Sequence, residues 1–108
     1  MTELSAEDQK LITLAKGARA RIGSISAACV RDIDGRTYSG ASVSYADKTF
    51  SSIDLAIASA IAAGAKKFEA ICVLGDETPN LEEIKSVLIE NGLVFVCDAQ
   101  GSLVSVLH

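Results

Sequence analysis

The sequence predicts one small α/β domain, residues 1–108, built on a mixed five-stranded sheet with helices on its faces in the order α-β-β-α-β-α-β-β. Three observations carry that expectation. The chain of 108 residues is 49% apolar, enough to bury one core without metals or disulfides to staple it. Its apolar spacing alternates between helical stripes and short, nearly continuous strand-like runs. Capping and turn residues fall where one pattern gives way to the next.

Ser5 with Asp8 three residues later resembles a capping box, and Leu11, Leu14, Ala15 and Ala18 recur at helical spacing, so a helix is expected from about residue 5 to 18. A strand over 22–30 follows, and Asp34-Gly35 supplies a hairpin turn into a returning strand over 36–43. So short a connection joins only antiparallel neighbours. Ser51 and Ser52 offer an N-cap to an alanine-rich helix over 53–63, apolar nearly all round and expected to be deeply buried until Gly64 closes it. The run 68–74 has the nearly unbroken apolar character of a central strand covered on both faces. Asn80 with Glu83 forms another cap pattern, and Leu81, Ile84, Val87 and Leu88 make one stripe of a helix ending at Asn91-Gly92. A strand over 93–97 should then lie parallel to the 68–74 strand, and a last strand over 102–107 antiparallel to its predecessor.

Several function classes are excluded at this level. The net charge is −4 and the only dense basic stretch is Lys16, Arg19 and Arg21, too short to track a phosphate backbone, so no nucleic acid partner is expected. The longest apolar stretch, 55–65, is interrupted by Ser59 and Gly64 and falls short of the roughly 20 residues a bilayer span requires, so no membrane association is expected. The acidic opening residues are not those of a secretory signal. Cys29, Cys72 and Cys97 are odd in number and set in apolar runs, which points to reduced, buried thiols and a cytoplasmic location.

Three blocks carry a family resemblance. Residues 25–30, Ile-Ser-Ala-Ala-Cys-Val, form a small-residue first strand. Residues 34–40, Asp-Gly-Arg-Thr-Tyr-Ser-Gly, join an Asp-Gly-Arg turn to an aromatic-x-Gly strand. Residues 63–73 combine a helix end, a basic turn and a Phe-x-Ala-Ile-x-Val strand. In these blocks and their spacing, residues 10–106 resemble the zinc-dependent cytidine deaminases. The resemblance implies a three-layer fold, hydrolytic deamination of a cytidine-like nucleoside, assembly into homo-oligomers, and a zinc held by one Cys or His and two cysteines beside a proton-shuttling glutamate.

The residues depart from that pattern at the chemistry. The family's Cys-Ala-Glu falls on Ser51, Ser52 and Ile53, and its Pro-Cys-x-x-Cys places Leu81 and Ile84 where two thiolates belong. No cysteine or histidine occurs from Val73 to Val96. Asp54 is one position late, and a helical step rotates it by about 100° from the direction of Ile53. The family's ribose-binding Asn-Val-Glu appears as Ser42, Val43 and Ser44, without the carboxylate. Zinc is the family's cofactor, but its ligands are absent here.

Other residues offer weaker substitutes. Cys29, Cys72 and Cys97 fall on neighbouring strands, but each is isolated in an apolar run and reads as a buried core thiol rather than a metal ligand. His108 is the single histidine and the final residue, a poor partner for a nucleophilic serine. The pairs Asp76-Glu77 and Glu82-Glu83 lie near a helix start, where the helix dipole alone favours carboxylates.

The reading that results is a catalytically inactive, cytidine-deaminase-like protein with a structural or regulatory role, assembled with copies of itself. The place where zinc would sit, at Ser51, Ile53, Leu81 and Ile84, is expected to be apolar and dry. The alternative is a module binding a small polar or anionic ligand, a nucleoside among them. It would use Ser42, Ser44, Tyr45, Ser51, Ser52 and the free amides of two converging helix ends. Third in order is an active deaminase with a displaced site.

Overall fold

The computed structural model describes residues 4–75 and 79–107. The first helix, α1 (Ala6–Ile22), begins where the cap pattern places it, with Ser5 Oγ accepting from the Asp8 amide at 3.1 Å. Two strands follow, β1 (Ser26–Asp32) and β2 (Thr37–Ala41), joined by the expected Asp34-Gly35 turn. Buried Asp32 stabilises that turn: its carboxylate accepts from the Asp34 and Arg36 amides at 3.0 and 2.9 Å. After them come β3 (Val43–Tyr45), β4 (Lys48–Phe50), α2 (Ser52–Ala62), β5 (Phe68–Gly75), α3 (Leu81–Lys85), β6 (Leu88–Cys97) and β7 (Leu103–Leu107).

Five strands form one mixed sheet in the order β2-β1-β5-β6-β7. Only β5 and β6 run parallel; the pairs β1-β2, β1-β5 and β6-β7 are antiparallel. Successive strand residues face opposite sides, and that alternation divides the core in two. Ala27, Cys29, Cys72, Leu74 and Phe95 pack beneath Leu11, Ile12, Ala15 and Ala18 of α1. On the other face, Ala28, Val30, Ile71, Val73 and Val94 pack with Ile53, Ala56 and Ala60 of α2 and Ile84 of α3. The result is a three-layer α/β/α domain, with β5 in the middle of the sheet as its continuous apolar run implied. Burying a leucine or isoleucine such as Leu11 or Ile71 stabilises the fold by about 1.5–3 kcal/mol before ordering costs.

Four details differ from the sequence reading. The apolar stripe of α1 ends near Ala18, but good helix formers carry the helix on until Gly23 turns left-handed (φ 64°) and its amide bonds back to the Arg19 carbonyl. The first strand therefore starts at Ser26. Residues 43–50, unassigned by periodicity apart from Val43, form a separate two-stranded ribbon of β3 and β4. Helix α2 buries only Ser52, Ile53, Ala56 and Ala60; its outer face leaves Ile61 51% exposed. Finally, α3 stops at Lys85. The Val87 carbonyl accepts from the Phe68 amide at 2.9 Å, so sheet pairing captures residues that share the helical stripe, and 88–97 form one long strand.

The seating of α2 on β2 depends on the aromatic-x-Gly element. A Cβ at Gly40 would lie 2.7 Å from the Ala56 amide nitrogen and 2.9 Å from the Ser52 carbonyl oxygen. Only glycine lets the helix lie this close to the strand, which fixes the position of the α2 N-terminus and hence of the cleft described below.

Candidate functional site

A cleft of about 410 Å³ opens between α2 and α3, lined by Ser51, Ile53, Asp54 and Ile57 from one side and Asn80, Glu83, Ile84 and Val87 from the other. Its construction follows from local spacing. Ile53 and Ile57 are one helical turn apart on α2, and Ile84 of α3 with Val87 of the turn that follows gives the other side its apolar lining. Ile53 and Ile84 form a nearly closed floor, 8% and 3% exposed. Leu81 is half-buried against the same core but does not line the cleft.

Both helix N-caps border this cleft. Ser51 Oγ accepts from the Asp54 amide at 3.1 Å, and Asn80 Oδ1 accepts from the Glu82 and Glu83 amides at 3.1 and 3.4 Å. The convergence of two helix ends is as the sequence implied, but those three amides are bonded to the chain's own caps. Asp54 of α2 and Glu83 of α3, both exposed, are among the residues lining the cleft. Asp54, exposed, lines the same cleft as the buried Ile53 one position before it. Glu83, read as a dipole partner, also borders it. The signal in the sequence was the facing spacing of 51, 54 and 57 with 80, 83 and 87.

Of the other ligand-binding candidates, only Ser51 lines the cleft. Ser42 Oγ sits 2.6 Å from Ser24 Oγ and accepts from Ser26 Oγ at 2.9 Å, in a serine cluster that ties the ends of β1 and β2. Ser44 pairs with Thr49 Oγ1 at 3.2 Å across the ribbon, Tyr45 is 80% exposed, and Ser52 is fully buried under α2. Asp76, Glu77 and His108 lie outside the described residues.

The three cysteines are reduced and buried beneath α1. Cys29 is paired with Cys72 across β1 and β5. Burial pushes the Cys29 thiol up to about 11, against a backbone hydrogen bond at Tyr38 that lowers it. A hydrogen bond to Cys97 and burial raise Cys72 well above the ordinary thiol range. Among the described residues no group of three or more His, Cys, Asp or Glu is placed to hold a metal ion.

A three-layer sheet domain with a cleft between two helix N-termini on one face defines the structural class. The chain belongs to the cytidine deaminase-like family, whose model matches residues 4–101. Among solved structures it is similar to a cytidine deaminase from Burkholderia pseudomallei, with 27% identity and a TM-score of 0.72 over 99% of this chain and 92% of that one. The cytidine deaminases of Mycobacterium leprae and Mycobacterium tuberculosis share the fold, each at 15% identity and a TM-score of 0.70; the former match covers 85% of this chain and 89% of that one, the latter 83% and 85%. No curated protein shows significant similarity in sequence. No helix among the described residues is long and apolar enough to cross a membrane.

The family implies zinc, and the residues at the matching positions do not fit it. Zinc binds thiolate, imidazole or carboxylate. Leu81 and Ile84 have no donor atom, and the Ser51 hydroxyl is occupied as a helix cap. Ile53, which the family resemblance matches to the proton-shuttling glutamate, is buried among apolar side chains.

Proposed function

We propose that this protein is a catalytically inactive member of its family, with a structural or regulatory role in place of nucleoside deamination. One observation carries the reading. The floor of the cleft is made of Ile53 and Ile84, packed with Ala56, Ala60 and Val73 in a continuous core, where the family's chemistry needs a carboxylate and a thiolate. Deamination requires a water made acidic by the metal and a base within hydrogen-bond reach. The apolar floor supplies neither group. Replacing four reactive positions by a cap and three aliphatic side chains also removes buried charges that would be costly without a metal.

The test is to incubate cytidine and deoxycytidine with the protein, with and without added zinc; neither uridine nor deoxyuridine is expected above the buffer rate. Zinc-dependent, saturable product formation would contradict the reading.

Self-association is part of the proposal. Tyr45, Val43 and Phe50 leave the ribbon with an apolar surface, 80%, 40% and 37% exposed, that the chain itself does not cover. Light scattering is expected to give a mass that is a multiple of 11.2 kDa. A monomer across all concentrations would remove this element. Three reduced core thiols suit the cytoplasm, the compartment proposed for it. The second reading, a small-ligand module, is favoured by the persistence of an open cleft at the old pocket position.

A further inference from the structure

We infer that β7 is the contact through which two copies of this chain pair, antiparallel and about a twofold axis at Ser105, so that their five-stranded sheets join into one. The inference rests on the reading that the chain self-associates, and it supplies a surface and a register that the ribbon does not.

The sheet order β2-β1-β5-β6-β7 leaves β2 and β7 as its outer strands, and they are finished differently. Helices α1 and α2 both pack on β2, whose residues are all half-buried. Strand β7 is held by β6, no helix packs on it to a comparable extent, and it begins with exposed residues, Val104 at 67%. A strand at a sheet edge carries a row of amide and carbonyl groups without ladder partners, and such edges are ordinarily covered or interrupted by charge or proline. None of these three devices protects β7, since 102–107 reads Ser-Leu-Val-Ser-Val-Leu. A register shift does interrupt the ladder at the entry to the strand, between the Val96 and Cys97 pairs. Beyond it Ser105, Val106 and Leu107 pair in regular succession with Val96, Phe95 and Val94.

The strand's own sequence points to the partner. Leu103-Val104-Ser105-Val106-Leu107 reads the same in both directions. An antiparallel pair centred on Ser105 therefore sets Ser105 opposite its own copy and each Val104 opposite the other copy's Val106, and cross-strand pairs of this kind are the unit of sheet stabilisation. Each contact is made twice, as a closed twofold interface demands. Absence of charge serves the same end: a chain of net charge −4 meets its copy here without like charges opposed. Asp98, the nearest acidic residue in sequence, is engaged in its own turn, accepting from the Gln100 and Ser102 amides at 3.0 and 2.9 Å. A short strand pair is a small interface, so the dimer should form in the micromolar range.

Sedimentation velocity of the full chain across micromolar concentrations tests the inference, in a Tyr45→Ser background so that the ribbon's most exposed ring does not contribute. Ser105 is exposed, so Ser105→Lys and Ser105→Glu are expected to leave the unfolding temperature of the monomer unchanged. Each opposes like charges at the axis and is expected to weaken dimerisation about tenfold, whereas an equimolar mixture of the two should restore it. That rescue is specific to a residue opposed to its own copy. A monomer at every concentration, variants that associate like the Tyr45→Ser protein, or a mixture no more dimeric than either variant alone would overturn the inference. Association of the parent chain that is lost in Tyr45→Ser and untouched by the Ser105 changes would leave the ribbon reading standing and refute this one.

Discussion

Replacing Ile53 by glutamate, which returns to this position the side chain the family uses for proton transfer, is expected to destabilise the protein by about 3–4 kcal/mol and to restore no deamination. Ile53 is 8% exposed and packs in the cluster shared by α2, α3 and the sheet. The substitution removes an apolar side chain from that cluster and leaves a carboxylate there without a cation. For a domain of this size the unfolding temperature should fall by roughly 15 °C or more.

The pH dependence separates the two contributions. Burial raises the pKa of the introduced carboxyl above its unfolded value of about 4.3. Its ionisation penalty is then full at neutral pH and disappears below the unfolded pKa, where both states are protonated. The gap between Ile53→Glu and the parent should narrow on acidification, whereas the gap for Ile53→Gln stays constant. Denaturant titrations of both variants across acid pH provide the check. A stable Ile53→Glu protein would show that the floor is a solvated site rather than a packed core.

The buried thiols carry the second large effect, at the alkaline end. Cys29 is raised from 9.0 to about 11 in the folded protein. Below pH 9 the thiol is protonated in both states and stability is unaffected by its titration. Between 9 and about 11 the unfolded chain loses this proton first, so stability falls with rising pH, by up to about 3 kcal/mol from this residue. The hydrogen bond shared by Cys72 and Cys97 shifts Cys72 in the same direction and Cys97 in the opposite one, so the contribution of Cys29 is read as the difference between parent and variant. The expected result is a falling urea midpoint above pH 9, with a shallower slope in Cys29→Ala than in the parent. Identical slopes would contradict the account of a dry thiol layer beneath α1.

Much of the fold was legible because its signals are local. Ser5, Ser51 and Asn80 each cap the helix that follows, and Asp34-Gly35 makes the hairpin its dipeptide implies. The misreadings occurred where tertiary pairing overrides local pattern. Val87 and Leu88 continue a helical stripe, yet the backbone of β5 draws 88–97 into the sheet, and no spacing rule announces that competition. The ribbon escaped notice because a three-residue strand is too short to display a period.

The candidate site was legible in a different proportion. A family resemblance supplied the long-range correspondence between two helix starts, and Ser51, Ile53 and Ile84 do line one cleft. Ser42 was assigned to the pocket from that correspondence, whereas the structure gives its hydroxyl to Ser24 and Ser26. Asp54 and Glu83 were explained locally, as a rotated residue and a dipole partner. Their shared position across one cleft depends on the angle between α2 and α3, which neither segment encodes alone.

The most direct measurement of the central claim is the metal content of the protein expressed with ample zinc and purified without chelator. With a hydroxyl cap and three aliphatic side chains at the four matching positions, zinc should be far below stoichiometric, and adding zinc should leave the unfolding temperature unchanged. One tightly held zinc per chain, with stabilisation on its return after chelation, would contradict the account.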